Sequence, residues 1–255
     1  MLVRGVALVL TAAIATVMLC MIVLGQRGKV YNLRRLPALD HIAEAVGRCS
    51  EMAKELFFEF GVAVDVESEL SQYLMAGVSV LDYTAQLAAA QRVKIISPSV
   101  RPDVGLLAEE VLSQAYARAG NPELYERGES VPYYGSTNYS FMSRMISELS
   151  RRKPGALMEF GGFVGAFIAY NEVAHDVGAI TIAGCARPET AWNAITSDHW
   201  MMGEQVMAAA AYVSDNPIMK GTVVAADIVK YGVIALLLVG VVLRQFGIDV
   251  ARLLA

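Results

Sequence analysis

Two uncharged apolar runs lie near the ends of this 255-residue chain and bracket a long stretch of mixed polar and apolar sequence. The first, Val6 to Leu24, is 19 residues long, close to the ~20 that carry a helix across the hydrocarbon core of a bilayer. The second, Tyr231 to Leu243, is a strict run of 13 residues. It lengthens only if Lys230 and Arg244 extend their charged ends to the interfaces. This layout predicts a transmembrane anchor over 1–25, a cytoplasmic α/β domain over 26–226, and a transmembrane or membrane-associated helix over 227–255.

Hydrophobic residues make up 55% of the chain and charged ones 18%, against roughly 45–50% and 25% in soluble domains. Two membrane segments added to an ordinary globular domain produce that shift. The intervening sequence is long enough for one sizeable core. A net charge of −4 and the lack of a basic block outside the stretch beside the first run argue against a nucleic-acid partner. The first run exceeds the ~7–15-residue apolar core of a secretory signal, and no A-x-A site follows it. Leu19 before Cys20 is too large for a lipoprotein cleavage site, so an uncleaved anchor is expected.

Arg27, Lys29, Arg34 and Arg35 follow the first run, while only Arg4 and the amino terminus precede it. The positive-inside bias then puts the central domain in the cytoplasm, on the inner face of the plasma membrane. Cys20, Cys49 and Cys185 are odd in number, widely spaced and outside any CxxC motif, which fits a reducing compartment. The second run is flanked by Lys220, Asp227 and Lys230 before it and Arg244, Asp249 and Arg252 after it. A helix there has an alternative: it lies in a membrane surface or packs in an oligomer.

Between the runs, short apolar stretches alternate with helical periodicity. Leu56–Gly61, Arg92–Pro98, Ala156–Gly162 and Ala179–Cys185 read as buried strands. Leu39–Lys54, Tyr73–Gln91, Pro102–Ala119, Phe141–Arg151, Phe163–Asp176 and Asp198–Val213 read as helices. The alternation predicts a mostly parallel sheet with helices on both faces.

Several blocks resemble an uncharacterised prokaryotic membrane-anchored family of unknown function. They are Gly161-Gly162-Phe163-Val164-Gly165-Ala166 with Asn171-Glu172, then Ala179-Ile180-Thr181-Ile182-Ala183-Gly184, and Asp198 through Gln205 to Ala211-Tyr212-Val213-Ser214. Asp227-Ile228-Val229-Lys230, Leu36-Pro37-Ala38-Leu39-Asp40 and Glu44-Ala45-Val46-Gly47-Arg48 are similar too. The resemblance covers most of the chain and implies no activity. His199 and Gln205 stand where that pattern has an aromatic residue and a second glutamate, which weakens any paired-carboxylate site at that point.

In a parallel sheet, ligands gather outside the carboxyl ends of the strands. Those ends offer Ser97, Ser99 and Arg101, then Gly161, Gly162 and Gly165, then Gly184 and Arg187. A glycine-rich turn between strand and helix lets backbone N–H groups hold an anion such as phosphate, and the two arginines would clamp it. The competing reading is that the glycines serve close packing, the serines cap turns and the arginines face solvent. Glu159, Glu172 and Glu204 stand in apolar sequence and are expected to be buried carboxylates, suited to orienting helices or to acid–base work. His175, Asp176, Asp198 and His199 lack a metal-ligand spacing, and Cys185 has no partner base in sequence. No metal or cofactor is expected. The function expected is a scaffold or binding module, partnered by membrane lipid, a second copy or a membrane protein. The alternative is an enzyme or sensor for a small phosphorylated ligand.

Overall fold

The computed structural model describes residues 2–163, 165, 167–185, 187, 193–214 and 216–245. Val164 and Ala166 of the glycine-rich block, and Asp249 and Arg252 beyond the second run, lie outside the described residues. The chain divides into two compact units, Arg35–Ser214 and the pair of segments that flank it.

In the flanking unit, α1 (Leu2–Gln26) and α9 (Pro217–Gln245) are each long and apolar enough to cross a membrane. They pack antiparallel: Gly25 meets Pro217, and Gly221 meets Met21 and Ile22. A Cβ on Gly25 would fall 2.8 Å from the Pro217 oxygen, and one on Gly221 would fall 2.9 Å from the Met21 oxygen. Small residues let the two backbones approach there. The space around Gly232 and Gly240 is open. The Tyr31 hydroxyl donates to the Met21 carbonyl at 2.6 Å and ties the turn after α1 back onto it.

The other unit runs α2 (Pro37–Glu51), β1 (Leu56–Glu59), α3 (Ser71–Ala90), β2 (Ile95–Ile96), α4 (Pro102–Arg118), α5 (Asn138–Arg152) and β3 (Ala156–Gly161). It continues with α6 (Phe167–Asp176), β4 (Ile180–Cys185), α7 (Asn193–Thr196), β5 (His199–Met202) and α8 (Glu204–Val213). Proline stands at the start of α2 and α4, where its missing N–H costs nothing. Thr137 and Ser140 cap α5 reciprocally, each hydroxyl accepting from the other's backbone N–H.

The strands form one parallel sheet in the order β2-β1-β3-β4-β5. Alternate side chains leave opposite faces. Leu56, Phe58, Met158, Phe160 and Ile182 pack with α2, α3 and α4, while Phe57 and Leu157 pack with α5 and α6. Helices therefore cover both faces, as the alternating sequence pattern implies.

One element differs from the sequence reading. Asp198–Val213 is not a single helix: His199–Met202 is the edge strand β5, and α8 starts only after Gly203. Gly203 takes φ +57°, and its N–H donates to the Cys185 carbonyl at 2.7 Å. That bond turns the chain off the sheet and sets the boundary.

Candidate functional site

In this strand order the winding reverses between β1 and β3, and doubly wound sheets take their ligands in the crevice at such a reversal. Here the main chains that follow the two strands meet. The Gly162 N–H donates to the Phe60 carbonyl at 3.1 Å, and the Ala63 N–H donates to the Gly162 carbonyl at 3.0 Å. A Cβ on Gly161 would lie 2.1 Å from the Phe60 oxygen, and one on Gly61 would lie 2.1 Å from the Gly162 oxygen. Only glycine permits this approach. Gly165 is an exposed turn residue with open space around it. Gly184 stands against the Phe160 ring, 2.6 Å from where its Cβ would be.

Directly beneath that seal sits a polar cluster. Glu59 ends β1 and is paired in register with Glu159 on β3, and both are fully buried. They share the face of Phe57 and Leu157, under α6, whose Tyr170 donates its hydroxyl to Glu59 Oε1 at 2.5 Å. The Asn171 amide, also buried, donates to Thr196 Oγ1 at 3.3 Å and favours the charged form of Glu159 beside it. Among the described residues, no donor lies at full hydrogen-bonding geometry to Glu59 Oε2 or to either Glu159 oxygen, so the Asn171 amide acts on Glu159 only weakly. Protonating Glu159 supplies one: its O–H then donates to Glu59, which already accepts from Tyr170.

The electrostatics agree with a shared proton. Burial pushes Glu59 up to about 7 against the opposing pull of the Tyr170 hydroxyl. Burial first, then the Glu59 carboxylate, hold Glu159 well above the usual carboxylate range. Burial and Glu59 likewise keep Tyr170 protonated. Two neighbouring carboxylates out of water do not both ionise. The cluster can therefore hold or release a proton.

Of the three carboxylates expected to be buried, Glu159 alone is. Glu172 and Glu204 are exposed, and the expectation for them is corrected here. Each lies on a helix whose neighbouring residue turns about 100° away. On α6 the inward positions go to Tyr170, Asn171 and Ala174, and on α8 they begin at Val206. Glu59 was missed by sequence reasoning. Its signal was a lone acid inside the apolar run Leu56–Phe60.

The remaining strand-end residues do not converge on one point. The Ser97 N–H donates to the Ser130 carbonyl, and Ser99 is bonded through its main chain to Pro132 and Tyr134. Both serines are buried. Arg101 pairs with Asp65, and Arg187 pairs with Glu69 at 3.3 Å. The two arginines thus reach acids of one short segment, 65–69.

A second polar group fastens the amino end of β5. The Asp198 carboxylate accepts from the Thr181 N–H at 2.9 Å and from its hydroxyl at 3.1 Å. His175 bonds the Thr196 carbonyl at 3.0 Å. His199 stacks on His41 with ring centroids 3.5 Å apart, and His41 meets Glu44 at 2.8 Å. Burial, then His41, push His199 below the usual imidazole value.

Comparison with curated proteins and with solved structures returned no match. Residues 2–254 match a family model described as a domain of unknown function, DUF6754. With nearly its whole length inside that match, the chain belongs to the DUF6754 family.

Proposed function

We propose that this DUF6754 protein is a membrane-held association module. The α1/α9 pair sits in the plasma (inner) membrane, and Arg27, Lys29, Arg34 and Arg35 hold the α/β unit on the cytoplasmic side. That unit acts by contact, with a second copy or with a membrane protein, rather than by turning over a small molecule. The observation that carries this reading is the main-chain seal between Phe60–Gly61 and Gly161–Gly162. It occupies the crevice in which sheets of this winding accept ligands.

A second reading, a small phosphorylated ligand bound at the strand ends, has one observation for it. Arg101 and Arg187 both reach the 65–69 segment, and an anion there would compete with Asp65 and Glu69 for them.

One set of measurements separates the two. The module reading expects the chain to stay with membranes washed in alkaline carbonate and to sediment in mild detergent at more than one chain mass. It also expects inorganic phosphate and nucleotides to leave the melting temperature unchanged. A monomer that phosphate stabilises, with the effect lost in Arg101→Ala, would replace it with the anion reading.

A further inference from the structure

The antiparallel packing of α1 on α9 fixes which residues share a depth. Gly221 meets Met21 and Ile22, and Gly25 meets Pro217. Both helices rise about 1.5 Å per residue, so Asp227 falls level with Ala15 and Thr16, and Lys230 falls level with Ala12 and Ala13. Those partners lie in the middle of the uncharged run Val6–Leu24. The apolar runs of the two helices are therefore out of step. Tyr231–Leu243 begins where α1 is already past its midpoint. Any slab of hydrocarbon that contains the whole of Val6–Leu24 also contains Asp227 and Lys230.

These two residues form an ion pair at 2.6 Å on α9, and their side chains remain 53% and 43% exposed. Gly221 and Ala225 are buried on the side of α9 that Gly221 turns to α1. At about 100° per residue, Asp227 and Lys230 project from the opposite half of the helix. Charged groups at that depth face protein or a polar cavity, not lipid tails.

The geometry points to a second copy of this chain seated on that face of α9. Each Asp227 then bridges its own Lys230 and the partner's Lys230 inside the bilayer. Charge complementarity selects this occupant. The face carries one charge of each sign, and a two-fold axis along the bilayer normal makes it complementary to itself. The depth offset between Asp227 and the partner's Lys230 is about 4.5 Å, within side-chain reach. This inference rests on the membrane-held reading above and names the surface through which the copies meet.

The test uses the full chain in mild detergent, with Asp227→Lys and Lys230→Asp made separately and together under two tags. Wild type is expected at the mass of two chains, and each variant alone at half that mass. The two variants co-expressed are expected to purify as a one-to-one pair at the doubled mass. Should the reversed chains not accumulate, Ile234→Cys, one turn beyond Lys230 on the same exposed face, in a Cys20→Ser background that keeps both charges, is expected to cross-link to a dimer on oxidation. Variants that keep the doubled mass alone, variants that separate without recombining, or an Ile234→Cys chain that gives no dimer would each overturn the interface. Those outcomes leave association through another surface standing. A monomeric wild type would overturn the interface and the association reading together. A different membrane protein bound one-to-one in place of the second copy would overturn the interface alone.

Discussion

Glu59 and Glu159 are placed where water cannot reach either, side by side on adjacent strands, so the folded chain binds a proton that the unfolded chain gives up. Stability from a raised carboxyl is fully present below its ordinary value of 4.5 and is lost as pH climbs through about 7. Glu159 is raised as well, by burial first and then by Glu59, and contributes with the same sign. Glu159→Gln replaces the protonated acid with an amide that donates to Glu59 without a titrating proton. The variant's melting temperature is expected to fall less steeply than wild type's between pH 5 and 8, and to be the higher of the two at pH 8. Parallel curves would show that the pair does not share a proton. None of this was legible from Glu159's sequence neighbours, because the partner lies on a strand a hundred residues away. Glu172 and Glu204 illustrate the converse: apolar neighbours in sequence do not bury a helical residue whose own direction is outward.

At the scale of elements, strands announce themselves when an apolar run is bounded by turn residues. That is why β1, β3 and β4 are readable from Leu56–Gly61, Ala156–Gly162 and Ala179–Cys185. The edge strand β5 is not. His199-Trp200-Met201-Met202 runs straight into the helix-forming Met and Ala of α8, and only Gly203 marks the break. The glycines of the reversal point were readable as packing or as phosphate cradle, and at Gly61 and Gly161 the loops they join come into close main-chain contact. Gly61 takes φ +81° and lies against the Gly162 carbonyl, so Gly61→Ala meets both backbone strain and a direct clash. It is expected to cost about 3 kcal/mol or more in urea unfolding, or to prevent folding. Gly165→Ala, with open space around it, is expected to stay within about 0.5 kcal/mol of wild type. Equal losses at both positions would remove the seal as the reason for the glycines. In the flanking unit, an aspartate or lysine facing lipid at mid-depth costs ~2.5–3.5 kcal/mol each on insertion scales, which is what a second copy of α9 would relieve.

For the molecule as a whole, the ends of the chain supplied the membrane expectation and the middle supplied the fold class, yet neither supplied the pairing of α1 with α9. Two apolar runs do not reveal whether they meet, since that depends on Gly25 and Gly221 arriving opposite Pro217 and Met21. The orientation proposed above makes one global prediction. In sealed right-side-out vesicles, protease is expected to leave the α/β unit intact, and in inverted vesicles to cut in the basic stretch between Gln26 and Leu36. The opposite pattern would place the unit outside.

The meeting of Gly25 with Pro217 joins the two points at which the chain enters and leaves everything between them. Such a clasp turns the intervening polypeptide into a closed ring while the helices stay together. A ring of roughly two hundred residues has fewer disordered arrangements than a free chain, by an amount of order (3/2)RT ln n, or about 5 kcal/mol. The helices therefore steady the sheet by impoverishing its denatured alternatives.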